Sequence, residues 1–211
     1  MTCFSSALIA FAAITFSTIP ALHAQVATGL VDPNVATEQE LAALPHMTPA
    51  VVKNLLAARP LAGPLALDQF LAGQSLTPEQ RGAFYRRAFV HLNLNTATGP
   101  EILLVPGAGK RMAHEFEEYR PWKTFAQFDK EIGKYVNKQE VARLKQYTFL
   151  PLNLNTATEA QLMTIPGVSK QTAQKLAEHR PWKSQAQFQQ AFGKDVEQKE
   201  VTRLWRYVVI P

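Results

Sequence analysis

The chain has 211 residues, 46% hydrophobic and 18% charged, a balance that suits a globular protein and excludes a disordered one. Lys and Arg total 22 against 17 Asp and Glu, a net charge of +5 that permits a polyanionic partner without demanding one. A single cysteine, Cys3, excludes a disulfide framework and a thiolate metal site.

Residues 7–19 form an uncharged, mostly apolar run, followed by Pro20 and Ala21-Leu22-His23-Ala24. The run is too short for a usual transmembrane helix and fits a secretory signal, although no Lys or Arg precedes it. We expect a signal peptide over 1–24, cleavage after Ala24, and an exported, periplasmic or extracytoplasmic protein. A retained anchor is the alternative.

Beyond it the chain divides into units of about sixty residues, 25–92, 93–152 and 153–211. Residues 93–151 and 153–211 are identical at 27 of 59 positions without a gap, which indicates a duplication. The first unit is the least faithful copy. The segments at 34–45, 95–106 and 155–166 each carry a helix-start box, Thr37 with Glu40, Thr98 with Glu101 and Thr158 with Gln161. Apolar pairs at helical spacing follow: Leu41/Leu44, Ile102/Val105 and Leu162/Ile165 on the first helix, and Val52/Leu55, Ala113/Phe116 and Ala173/Leu176 on the second. The second helix ends at Arg59-Pro60, Arg120-Pro121 and Arg180-Pro181, where proline disfavours helical geometry in the residue before it. Trp122 and Trp182 come next and are read as cover for the edge of the core. Thr124 and Ser184 cap a third helix with Phe128 and Phe188 inward. A last helix has Val141/Leu144 and Val201/Leu204 on its apolar face. Its cations, Arg143, Lys145, Arg203 and Arg206, read as a solvated face unless they lie beside a turn. The surplus positive charge sits in the later copies: five cations and five anions over 25–92, nine and seven over 93–152, eight and five over 153–211.

The turn at 105–110, VPGAGK, delivers the chain directly into a helix whose first amides have no intrahelical partner and carry the positive end of the dipole. Gly107 and Gly109 allow positive φ and leave those amides bare, so the turn reads as a phosphate site, with Lys110 and Arg111 beside it. The copy at 166–170 keeps Gly167 and Lys170 but has Ser169, which can donate to a phosphate or cap the helix itself. In the first unit the turn is PHMTP (45–49), without glycine, and its phosphate site reads as lost.

The pattern NLNTAT…PG-x-G-K…R resembles the helix-hairpin-helix family, and in particular the exported competence proteins of the ComEA type, over 93–211 and weakly over 32–92. With the repeat, the resemblance gives an all-α fold of three tandem helix-hairpin-helix units, where a single unit is usual for that type. It also implies sequence-independent contact with the DNA backbone through Gly107, Ala108, Gly109 and Lys110, and through Gly167, Val168, Ser169 and Lys170; Arg111 joins the first site by its place next to Lys110. The expected partner is DNA, double-stranded, with membrane DNA-uptake or secretion machinery beyond it. No cofactor, metal or small-molecule substrate is expected. An enzyme is not expected either: His114-Glu115 lacks the second histidine of a zinc helix, and there are no paired carboxylates or nucleophile motifs. The alternatives are a periplasmic protein-interaction scaffold or, without a signal peptide, a DNA repair or recombination accessory.

Overall fold

A computed structural model describes Val26 and residues 29–210; the expected signal peptide lies outside the described residues. Among the described residues, no helix is long and apolar enough to cross a membrane. One succession of helices appears three times. The first stretch has α1 (Glu38–Ala42), α2 (Pro49–Ala58), α3 (Pro64–Gly73) and α4 (Pro78–Tyr85). The second has α5 (Gly99–Leu103), α6 (Lys110–Glu118), α7 (Phe125–Ile132) and α8 (Lys138–Lys145). The third has α9 (Glu159–Leu162), α10 (Lys170–Glu178), α11 (Gln185–Phe192) and α12 (Gln198–Trp205).

The helices are joined by a small amount of β pairing that an all-α reading leaves out. β1 (Leu92–Asn93) runs parallel to β2 (Thr148–Phe149), and β3 (Leu152–Asn153) parallel to β4 (Val208–Val209). Val31 makes the corresponding parallel bridge to Ala88. Entry and exit of each stretch thus meet, and the buried connector amides find carbonyls, as Leu92 does on Tyr147 (2.7 Å) and Leu152 on Tyr207 (2.9 Å).

The helix starts follow from their boxes. Glu40, Glu101 and Gln161 accept from the amides of Thr37, Thr98 and Thr158 at 2.7, 2.8 and 2.9 Å. Thr124 and Ser184 cap α7 and α11 through the amides of Gln127 and Gln187. The apolar pairs expected on the first two helices of each stretch are buried, although Leu44, Val105 and Ile165 lie just past the ends of α1, α5 and α9; Phe128, Phe188, Val141, Leu144, Val201 and Leu204 are buried too.

The residues after the second helix fasten it to the start of its own stretch. The Arg–Pro bonds at 59–60, 120–121 and 180–181 are cis. Arg59, Arg120 and Arg180 each donate from Nε and Nη2 to two carbonyls at the head of the stretch: Pro33 and Ala36, Leu94 and Ala97, Leu154 and Ala157. Asn34, Asn95 and Asn155 bond both the amide and the carbonyl of Leu61, Trp122 and Trp182. Trp122 and Trp182 are buried, and their indole N–H groups donate to Phe116 and Leu176 at 2.8 and 2.9 Å. They complete the core rather than face a ligand.

The first two stretches share one apolar core running from Ala36 to Leu150. The third has its own, closed by Phe149 and by Val26 from the far end of the chain. A sixty-residue body is marginal alone, so pooling apolar surface stabilises the array.

Candidate nucleic-acid interface

The α5–α6 connection is built on a plug and a bare helix start. Val105 is buried, and the amide of Ala108 donates back to its carbonyl at 2.9 Å. Ala108 is itself buried, so its side chain anchors the turn beneath. Between them Gly107 has φ +82°, the left-handed conformation that glycine adopts without penalty. Gly109 is the N-cap of α6 and offers no side chain to accept from the helix amides. The amides of Lys110, Arg111 and Met112 therefore lack an intrahelical partner. Gly107, Gly109, Lys110 and Arg111 are all exposed.

The α9–α10 connection repeats the backbone and changes the cap. Val168 is buried, its amide bonds the Ile165 carbonyl at 3.0 Å, and Gly167 has φ +77°. Ser169 Oγ accepts from the Thr172 amide at 3.1 Å and contacts the Thr172 hydroxyl at 3.0 Å. Of the two roles open to Ser169, the structure has it capping the helix. That uses one of the amides left free in α6.

Two expectations are corrected. Gly109 has φ −89° and ψ 179°, extended backbone open to any residue, so its importance lies in the missing side chain. Ala108 and Val168 do not offer their amides to a phosphate, because each is bonded inside its turn. The turn geometry of the first stretch is kept without glycine. His46 takes φ +63°, Met47 is the buried plug, and Thr48 caps α2 by accepting from Val51. What α2 lacks is donors: Pro49 has no amide and Thr48 occupies another.

Glu131 is paired with Lys134 and Lys130, Asp129 with Lys145, and Glu140 with Arg143. Among the described residues, Lys110, Arg111 and Lys170 enter no such pair. Arg111 lies over the Tyr135 ring, 5.0 Å from its centroid, which holds the guanidinium near the turn. Of the last-helix cations, Arg143 and Arg203 do reach a turn. Arg143 Nη2 lies 3.2 Å from where a side chain at Gly107 would begin, and Arg203 donates from Nη1 to the Pro166 carbonyl. Each is clamped by a carboxylate one helical turn back, Glu140 at 2.7 Å from both Nε and Nη2 of Arg143, and Glu200 at 2.7 and 2.5 Å from those of Arg203. Glu140 holds Arg143 above its usual pKa, and Arg143 holds Glu140 below the usual carboxylate range. These pairs brace the turns and add little net charge. Their role was not legible in the sequence, because nothing local marks a contact across about 37 residues, as from Arg203 to Pro166.

Among the described residues, no three His, Cys, Asp or Glu side chains gather where they could hold a metal ion.

Residues 148–193 match the family model described as the helix-hairpin-helix motif. Two curated relatives carry one printed name, endonuclease/exonuclease/phosphatase family domain-containing protein 1. The Danio rerio protein is 29% identical over 44% of this chain and 22% of its own length. The Xenopus laevis protein is 58% identical over 15% of this chain and 6% of its own. The chain thus spans less than a quarter of either relative. No solved structure matches it. The chain is predominantly helical and carries a helix-hairpin-helix motif, which is commonly associated with nucleic-acid binding.

Proposed function

We propose that the chain is an array of three helix-hairpin-helix units, 25–92, 93–152 and 153–211, that binds double-stranded DNA through its backbone without reading sequence. The observation that carries this reading is the uncapped start of α6, where Gly109 leaves the first amides bare and two unpaired cations, Lys110 and Arg111, follow. Oriented amides with adjoining Lys and Arg suit a phosphate diester, and contacts of that kind position a protein on the backbone without carrying sequence information. With few phosphates neutralised, affinity is modest and falls with salt, by a slope of about −0.9 in log–log form per phosphate contacted. The apolar N-terminal run supports export to the periplasm or another extracytoplasmic space. A backbone-binding protein there fits DNA uptake, handing DNA to membrane machinery. On this reading the chain has no catalytic residues, cofactor or metal. A mobility-shift series with duplexes of unrelated sequence, at low and moderate salt, tests it. Equal, salt-sensitive shifts are expected; no shift at low ionic strength would leave a protein-interaction scaffold.

A second reading rests on the relatives' printed name, which includes endonuclease/exonuclease/phosphatase. If this chain cleaved phosphodiesters, plasmid DNA incubated with it and Mg²⁺ would be nicked; we expect intact supercoiled DNA.

A further inference from the structure

We propose that the first unit is a strap across the third unit's hairpin, so that of the two Pro-Gly turns only the one at 106–110 is open to a nucleic-acid backbone. This rests on the reading of the hairpins as phosphate sites and adds their regulation.

The strap touches the third unit at several described points. Val26 is buried in the third unit's core and bridges Phe149. Asp32, buried, accepts from the Tyr207 hydroxyl at 3.0 Å, and the imidazole of buried His91 stands 3.5 Å from the same carboxylate oxygen. Arg206, next to Tyr207, donates to the His91 carbonyl at 3.1 Å. Three residues beyond Asp32, Val35 reaches the hairpin itself. Its Cγ1 lies 2.7 Å from where a side chain at Gly167 would begin. Glu40, whose carboxylate accepts from the Thr37 amide and hydroxyl, lines the same depression as Thr164, Pro166 and Gly167.

The hairpin of the second unit has none of this. The nearest atoms to a side chain at Gly107 belong to its own unit, to the tip of Arg143 and to Glu140, and nothing lies within 4 Å of one at Gly109. Gly167, Ser169 and Lys170 are still reached by water. A duplex is a far larger object, and a rigid rail cannot lie on this turn while Val35 stands against Gly167 and Glu40 lines the depression beside it. Ser169, already capping α10, works in the same direction.

Homologous charge reversals test this in the full chain, read by fluorescence anisotropy with a labelled duplex at low salt. Lys110→Glu is expected to weaken binding roughly tenfold, and Lys170→Glu less than about twofold. Tyr207→Phe keeps the ring and removes the hydroxyl bonded to Asp32; in that background Lys170→Glu should cost several-fold. Val35→Ala, at a partly exposed site, is a second release that leaves the third unit's core intact. Equal losses from Lys110→Glu and Lys170→Glu in the otherwise unaltered chain would overturn the strap while keeping the hairpins as sites. No duplex binding by the parent would remove the hairpin reading and the strap together. A Lys170→Glu cost that stays negligible in both released variants would also overturn it.

Discussion

Position 109 separates phosphate binding from fold stability more cleanly than any other in the chain. Gly109 is the α6 N-cap, its backbone is extended at φ −89°, and a side chain there would meet nothing within 4 Å. Its counterpart Ser169 bonds the third amide of α10, that of Thr172, at 3.1 Å. Gly109→Ser should therefore transplant that cap onto α6. Serine and glycine differ at an N-cap by only a few tenths of a kcal/mol, so Tm should move by about 1–2 °C, upward if at all. Binding is another matter. A hydrogen bond from an amide to a charged oxygen contributes about 1.5–3 kcal/mol, and the serine oxygen would take the Met112 amide from the phosphate. The expected loss is on the order of tenfold or more in anisotropy titrations with a labelled duplex at low salt. An affinity equal to or above the parent's, with the fold intact, would refute the idea that bare amides at this helix start are the ligand. Gly107 is a poorer probe, because a substitution at φ +82° costs about 1–2 kcal/mol in backbone strain alone. Gly167 is poorer again, since its side chain would also strike Val35.

Arg120→Lys should lower Tm by about 4–8 °C in differential scanning fluorimetry, corresponding to about 2 kcal/mol, because one ammonium cannot replace a planar fork on the Leu94 and Ala97 carbonyls. A change of under about 1 °C would make the bracket dispensable. Burial pushes the Asp32 carboxyl up, but contact with His91, the Asn34 amide and the Tyr207 hydroxyl together bring it below its ordinary value. A carboxylate depressed in the folded state adds stability above its unfolded pKa and loses it as pH falls through the folded one. Asp32→Asn should therefore flatten the loss of stability on acidification below about pH 4, measured by urea denaturation across pH. An unchanged acid limb would remove Asp32 from the junction's energetics.

The elements that repeat locally were legible in the sequence, and those that act at a distance were not. Thr98 and Glu101, or Thr124 and Gln127, lie within one helical turn, so residue type and spacing alone specify the cap. Trp122 could be assigned to the core edge because it follows a helix stop. Arg120 was legible only as the residue before a proline; its bracket spans 23 and 26 residues, and no periodicity marks that. The missing glycines at 45–49 left the shape of the first turn open, and His46 holds the same left-handed backbone. The candidate site was legible in its exposed members, Gly107, Lys110 and Arg111. It was misread at Ala108 and Val168, because whether an amide is free depends on the turn's own hydrogen bond. The approach of Val35 to Gly167 bridges 132 positions and has no counterpart between the other units, so a repeat pattern could not reveal it.

The most direct measurement is a titration of ¹⁵N-labelled protein with a short duplex of arbitrary sequence, following individual amides by heteronuclear NMR. The amides of Lys110, Arg111 and Met112 should shift first and furthest, equally for unrelated sequences, and return when salt is added. If those three stay fixed while the duplex binds elsewhere, or if no amide moves at low salt, the start of α6 is not where this protein holds DNA.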